Sequence, residues 1–143
     1  MDKIVVAGYF DPPHLGHYQL FDFAHSYTPN AYVIAVIHNT DDVVKKSGFY
    51  IYNTDELREL LLAHSSVDEV VVASDTDGTI TKTLEFIKPK YFIKGPDRSK
   101  DNMPKSELEI CNKIDCEIVY QRNSLKVGNS SNIKARIIHQ IKR

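Results

Sequence analysis

Cysteine is scarce in this chain, and the two present, Cys111 and Cys116, stand close together. Their spacing is neither a zinc knuckle nor the C-x-x-C of a redox dithiol. They read as ordinary thiols of a reducing compartment. Net charge is scarce too, because 18 Lys and Arg nearly balance 19 Asp and Glu, for a formal charge of -1. That excludes a general nucleic-acid binder, which needs a broad basic face. It does not exclude a site for small anions, which needs only a local gathering of donors. No stretch reaches the roughly 18 apolar residues of a membrane span, so no contact with a membrane is expected. The first apolar stretch, Ile4 to Ala7, is too short for a secretory signal, and a cytoplasmic location follows as the expectation. Internal repeats, low-complexity segments and composition shifts are also missing. The 143 residues, residues 1–143, therefore read as one domain with one core.

What is present is an alternation of two patterns. Ile4 to Ala7, Tyr32 to Ile37, Val70 to Ala73, Tyr91 to Ile93 and Ile118 to Tyr120 are apolar throughout. Such runs suit strands buried on both faces of a parallel sheet. Between them lie helical stripes: Leu20, Phe21, Ala24 and Tyr27; Leu57, Leu60 and Leu61, with Asn53 and Glu56 spaced as a capping box; Ile80, Leu84 and Ile87, stopped by Pro89; and a segment from Pro104 through Leu108. Ile133, Ile137, Ile138 and Ile141 stripe the last helix. The alternation predicts an α/β, Rossmann-like, doubly wound domain of about five parallel strands with helices on both faces. Ligands of such sheets bind beyond the carboxyl ends of the strands. The loops after Ala7, Ile37, Ile93 and Tyr120 are therefore where function is to be sought.

The first of these loops reads Gly8-Tyr9-Phe10-Asp11-Pro12-Pro13-His14-Leu15-Gly16-His17. A helix is expected to begin near His14 to Gly16, with His14 and His17 on one face of its first turn. Free N–H groups and the dipole make a helix start attractive to anions. Gly16 leaves room for a ligand to come close. Two imidazoles added there make a phosphate clamp, whose fixed donors would stabilise charge developing on phosphoryl oxygens. A merely structural pair of histidines is the competing reading. A metal chelate is another, but it lacks further ligands nearby in sequence.

This passage resembles the H-x-G-H signature of the nucleotidyltransferase superfamily. Within it, the passage is most similar to cytidylyltransferase-like families such as the glycerol-3-phosphate cytidylyltransferases. The resemblance implies that His14 and His17 contact the triphosphate and stabilise the transition state. It implies that Gly8, Tyr9, Phe10, Asp11 and Gly16 line the nucleotide. It also implies a lysine from 45 or 46 on the triphosphate or acceptor phosphate, with Lys46 the favoured catalytic group, and an arginine on the next helix, here Arg58. At the fourth strand end, Lys94, Gly95 and Asp97 would hold base and ribose. The Lys-Gly-x-Asp wording there looks more like the adenylyltransferase part of heptose-phosphate enzymes, which leaves CTP and ATP both open. Gly128-Asn129-Ser130-Ser131 is similar to the Ser/Thr-rich element that opens the family's last helix, placing Asn129, Ser130 and Ser131 on the outer phosphates. Arg122 or Lys126 would stand for the arginine before it. The implied reaction transfers CMP from CTP to a phosphorylated alcohol with Mg2+ and release of pyrophosphate. The implied assembly is a homodimer, with contacts around 45 to 65. Adenylyl transfer to a sugar phosphate and a non-catalytic nucleotide-binding module are the alternatives.

Overall fold

The computed structural model describes residues 1–122 and 130–142, without the side chains of 130 and 131. Five strands form one parallel sheet: β1 (Asp2–Ala7), β2 (Ala31–Ile37), β3 (Glu69–Val72), β4 (Tyr91–Lys94) and β5 (Glu117–Tyr120). Their order is β3-β2-β1-β4-β5. Between them run α1 (Leu15–His25), α2 (Thr40–Ser47), α3 (Thr54–Leu62), α4 (Thr81–Ile87) and α5 (Lys105–Lys113), and α6 (Ser130–Ile141) follows β5. The five apolar runs are thus the five strands, and the sheet is doubly wound as expected. No helix among the described residues is long and apolar enough to cross a membrane.

Strand periodicity explains why the runs are apolar throughout. Successive side chains face opposite sides, and both sides are covered. Ile4 and Val6 of β1 join Val33, Ala35 and Ile37 of β2 in a cluster with Phe21 of α1 and Leu57 and Leu61 of α3. Val5 and Phe92 join the opposite cluster with Leu84 of α4 and Ile110 and Cys111 of α5. The chain leaves β1 toward β2 on one side and returns to β4 on the other. The order therefore reverses between β1 and β4, and a crevice opens beyond their carboxyl ends.

Three expectations change. Tyr27 lies past the end of α1, whose buried stripe is Leu20, Phe21 and Ala24. α2 occupies residues read only as a basic loop. The isoleucines of α6 do not form a buried face, since Ile137 and Ile138 are each 39% exposed and Ile141 is 77% exposed. The buried residue of that helix is Lys134.

Candidate active site

β1 delivers the first loop to the crevice. Gly8 is glycine for a packing reason: a Cβ there would come within 3.1 Å of the Phe10 ring. Phe10 adopts φ 49° and turns its ring into the core, 1% exposed. That ring meets His17 edge-on at 4.7 Å and Phe21 at 5.4 Å. Phe10 therefore supports His17 from behind and leaves only its backbone for a nucleotide. Asp11, placed by sequence among the nucleotide contacts, is 2% exposed. Its carboxylate accepts the Ile51 and Tyr52 amides, each at 2.9 Å, and pairs with the Lys134 ammonium at 2.7 Å. It anchors the loop to its neighbours instead of facing the crevice.

α1 begins at Leu15 with His14 as its N-cap. The two histidines cap each other's backbone. The Gly16 amide donates to His14 Nδ1 and the His14 amide donates to His17 Nδ1, both at 3.1 Å. Their rings stack with centroids 3.7 Å apart. A nitrogen that accepts an N–H carries no proton, so the proton of each neutral ring sits on Nε2. Burial, and then the neighbouring His14, push the His17 pKa down to about 3. Burial lowers that of His14 as well. Both rings are thus neutral donors at physiological pH. They stand at a helix start whose first turn carries no acid to repel an anion.

The end of β2 supplies the adjoining wall. His38, only 5% exposed, stacks on the Tyr9 ring at 4.2 Å and 15°. Lys46 Nζ lies 4.0 Å from the centre of the same ring. Burial lowers the Lys46 pKa, and the Arg98 and Lys134 cations lower it further. These three cations therefore gather about one hollow. Of the two lysines left open by the sequence, Lys46 is the one brought to the loop, while Lys45 is exposed. Arg58 is exposed on α3.

The third wall comes from β4 and β5. Burial depresses the Lys94 pKa, against the opposing pull of the Glu107 carboxylate. The Lys94 ammonium lies 4.7 Å from the Phe92 ring centre. Gly95 faces Asp97, whose Oδ1 would stand 3.2 Å from an added Cβ. The exposed Asp97 turn is closed by Asn102, whose Nδ2 donates to the Asp97 carbonyl at 3.0 Å. Arg122 Nη1 donates to the Arg98 carbonyl at 3.2 Å, so Arg122 joins this turn. Lys126 and Asn129 lie outside the described residues. Ser130 and Ser131 open α6, as the capping pattern predicts, and their side chains are not described.

Sequence reasoning missed His38, Asp42 and Lys134. His38 had a signal, as the first polar residue after the β2 run, in a loop already marked as functional. Lys134 had a fainter one, a lysine inside an isoleucine-striped helix. Its pairing with Asp11 spans most of the chain and leaves no local trace. Among the described residues, no group of three or more His, Cys, Asp or Glu side chains is placed to hold a metal ion.

Two comparisons agree with this geometry. The solved structure of the lipopolysaccharide core biosynthesis protein from Thermoplasma volcanium GSS1 superimposes with a TM-score of 0.68 at 20% identity, covering 89% of this chain and 99% of that one. At that identity the likeness is one of fold. A family model described as cytidylyltransferase-like matches residues 5–141, from β1 to the end of α6. The H-x-G-H loop, the doubly wound sheet and that match leave one assignment: the chain belongs to the cytidylyltransferase-like family of nucleotidyltransferase folds.

Proposed function

We propose that the protein transfers CMP from CTP to a phosphorylated alcohol resembling glycerol 3-phosphate. An oxygen of the acceptor phosphate attacks the α-phosphorus in line. A new P–O bond forms, the bond to the β-phosphate oxygen breaks, and pyrophosphate leaves. The acceptor phosphate is already ionised, so no general base is required. The observation that carries the reading is the mutual capping of His14 and His17, which presents two Nε2–H donors at a helix start. Neutral donors already aimed at developing charge lower the barrier without reorganisation. Lys46 and the start of α6 would add charge at the phosphates, and Arg122 would join them from the β4 side.

Magnesium is part of this proposal. The described residues offer no ready-made metal cage, and both oxygens of Asp11 are engaged. The site suits an ion that arrives on the triphosphate's own oxygens with water, as magnesium commonly does, and no step is assigned to it here. The family resemblance also supports a homodimer, which gel filtration at several concentrations would test. Lys94-Gly95-Pro96-Asp97 favours a second reading, in which ATP and a sugar phosphate are the substrates.

The test is pyrophosphate release with magnesium, supplying CTP, ATP, GTP and UTP against a panel of phosphorylated alcohols and sugars. Release with CTP and an alcohol phosphate is expected. Release with ATP alone would replace the base and keep the mechanism. His17→Ala should lower turnover by about 10²–10³-fold, the effect of losing one preorganised donor. Near-normal turnover in a folded His17→Ala protein would sink the mechanism.

A further inference from the structure

The first turn of α2 holds a carboxylate that nothing in the described chain satisfies. Asp42 is 8% exposed, and its Oδ2 has no hydrogen-bond partner. Buried polar atoms are almost always paired, and an unpaired carboxylate is costly to bury. The obvious internal partner is Lys46, four residues on and on the same helical face. That ion pair is not made, because the Lys46 ammonium lies against the Tyr9 ring. His38 sits between the two. Burial lowers its pKa most, then Asp42 pulls it up and Lys46 pushes it down. Tyr9 and His38 thus form a flat floor, with a cation at one end and a free hydrogen-bond acceptor at the other.

We propose that this slot is the acceptor subsite and that Asp42 determines its specificity. Lys46 takes the acceptor's phosphate, and the free oxygen of Asp42 takes a hydrogen bond from a hydroxyl a few bonds away. The inference rests on the nucleotidyltransferase reading above and names the acceptor class for it: a small hydroxylated phosphate ester. An ammonium in place of the hydroxyl would enter a hollow where Lys46, Arg98 and Lys134 already gather, and like charge opposes it. A neutral hydroxyl meets no such opposition. The half-buried Tyr9 ring and the exposed Lys46 stem are the side chains free to shift as the acceptor enters.

Calorimetric titration tests this with glycerol 3-phosphate, propyl phosphate and ethanolamine phosphate, on the wild type, Asp42→Ala and Asp42→Asn. The wild type should bind glycerol 3-phosphate about tenfold or more tighter than propyl phosphate, as a hydrogen bond to a charged group warrants. Asp42→Ala should erase that preference and leave propyl phosphate binding unchanged. Asp42→Asn, whose amide oxygen still accepts, should fall between. An equal preference in Asp42→Ala, no preference in the wild type, no binding of any probe, or tightest binding of ethanolamine phosphate overturns the inference. A raised magnesium requirement in Asp42→Ala with unchanged acceptor KM would do the same. Titration of CTP and ATP into the same proteins keeps the parent reading separate. Triphosphate binding that persists while the acceptor preference fails removes only this inference, whereas a wild type that binds neither triphosphate removes the parent reading.

Discussion

Protonating His17 requires breaking its hydrogen bond from the His14 amide, because Nδ1 is the only unprotonated nitrogen of the ring. This couples the site to acid stability. The folded pKa is depressed to about 3, while an unfolded histidine titrates near about 6.5. Above the unfolded value both states are neutral and the contribution is complete. As pH falls from about 6.5 toward 3, the unfolded state takes up the proton first and stability is lost progressively. The melting temperature should therefore drop between pH 7 and 4, and His17→Asn should flatten that drop. An equally steep drop in the variant would contradict the assignment. Residues with a local signature were legible: the Asn53–Glu56 capping box forms as its spacing predicts, with bonds of 3.0 and 2.8 Å. Replacing Asn53 with Ala should cost about 1 kcal/mol in urea denaturation. Asp11 misled because its motif position is shared with nucleotide contacts, while its actual partners lie at residues 51, 52 and 134.

At the scale of elements, the strands were the most legible part, because burial on both faces writes continuous apolar runs. α2 was not legible. Thr-Asp-Asp-Val-Val-Lys-Lys-Ser has only two apolar residues, adjacent and not spaced by a helical turn. Its helix is defined at its ends, by the Asn39 cap on the Asp42 amide and by Gly48 at φ 91°. α6 shows the converse, with a clear isoleucine stripe whose members face solvent and a lysine that carries the docking. Lys134 Nζ bonds Asp11, Ser47 Oγ at 2.7 Å and the Phe49 carbonyl at 2.9 Å. Lys134→Ala strands the buried Asp11 carboxylate and should cost roughly 3–5 kcal/mol in urea unfolding. Asp11→Asn combined with Lys134→Met should cost less than Lys134→Ala alone, since no unpaired charge remains. Ile141→Lys, on the exposed stripe, should change monomer stability by less than about 0.5 kcal/mol.

For the whole molecule, the order β3-β2-β1-β4-β5 gathers residues 8–17, 38–46 and 94–98 at one end of the sheet. A triphosphate bound there touches segments from both halves of the chain and opposes unfolding of all of it. At about 100 times its Kd it should add about 2.7 kcal/mol and raise the melting temperature by several degrees. Comparing CTP with ATP in this assay ranks the bases independently of turnover. A shift with neither would count against the nucleotide site. The Asp11–Lys134 pair also sets an order of events during synthesis. Residue 11 leaves the ribosome early, and its counter-ion is among the last residues to be made. A nascent chain can lay down β1 through β5 with the first loop still unfastened. The nucleotide site then gains its final tie only when residue 134 arrives, so a protein halted short of it would hold its sheet before it could hold its loop.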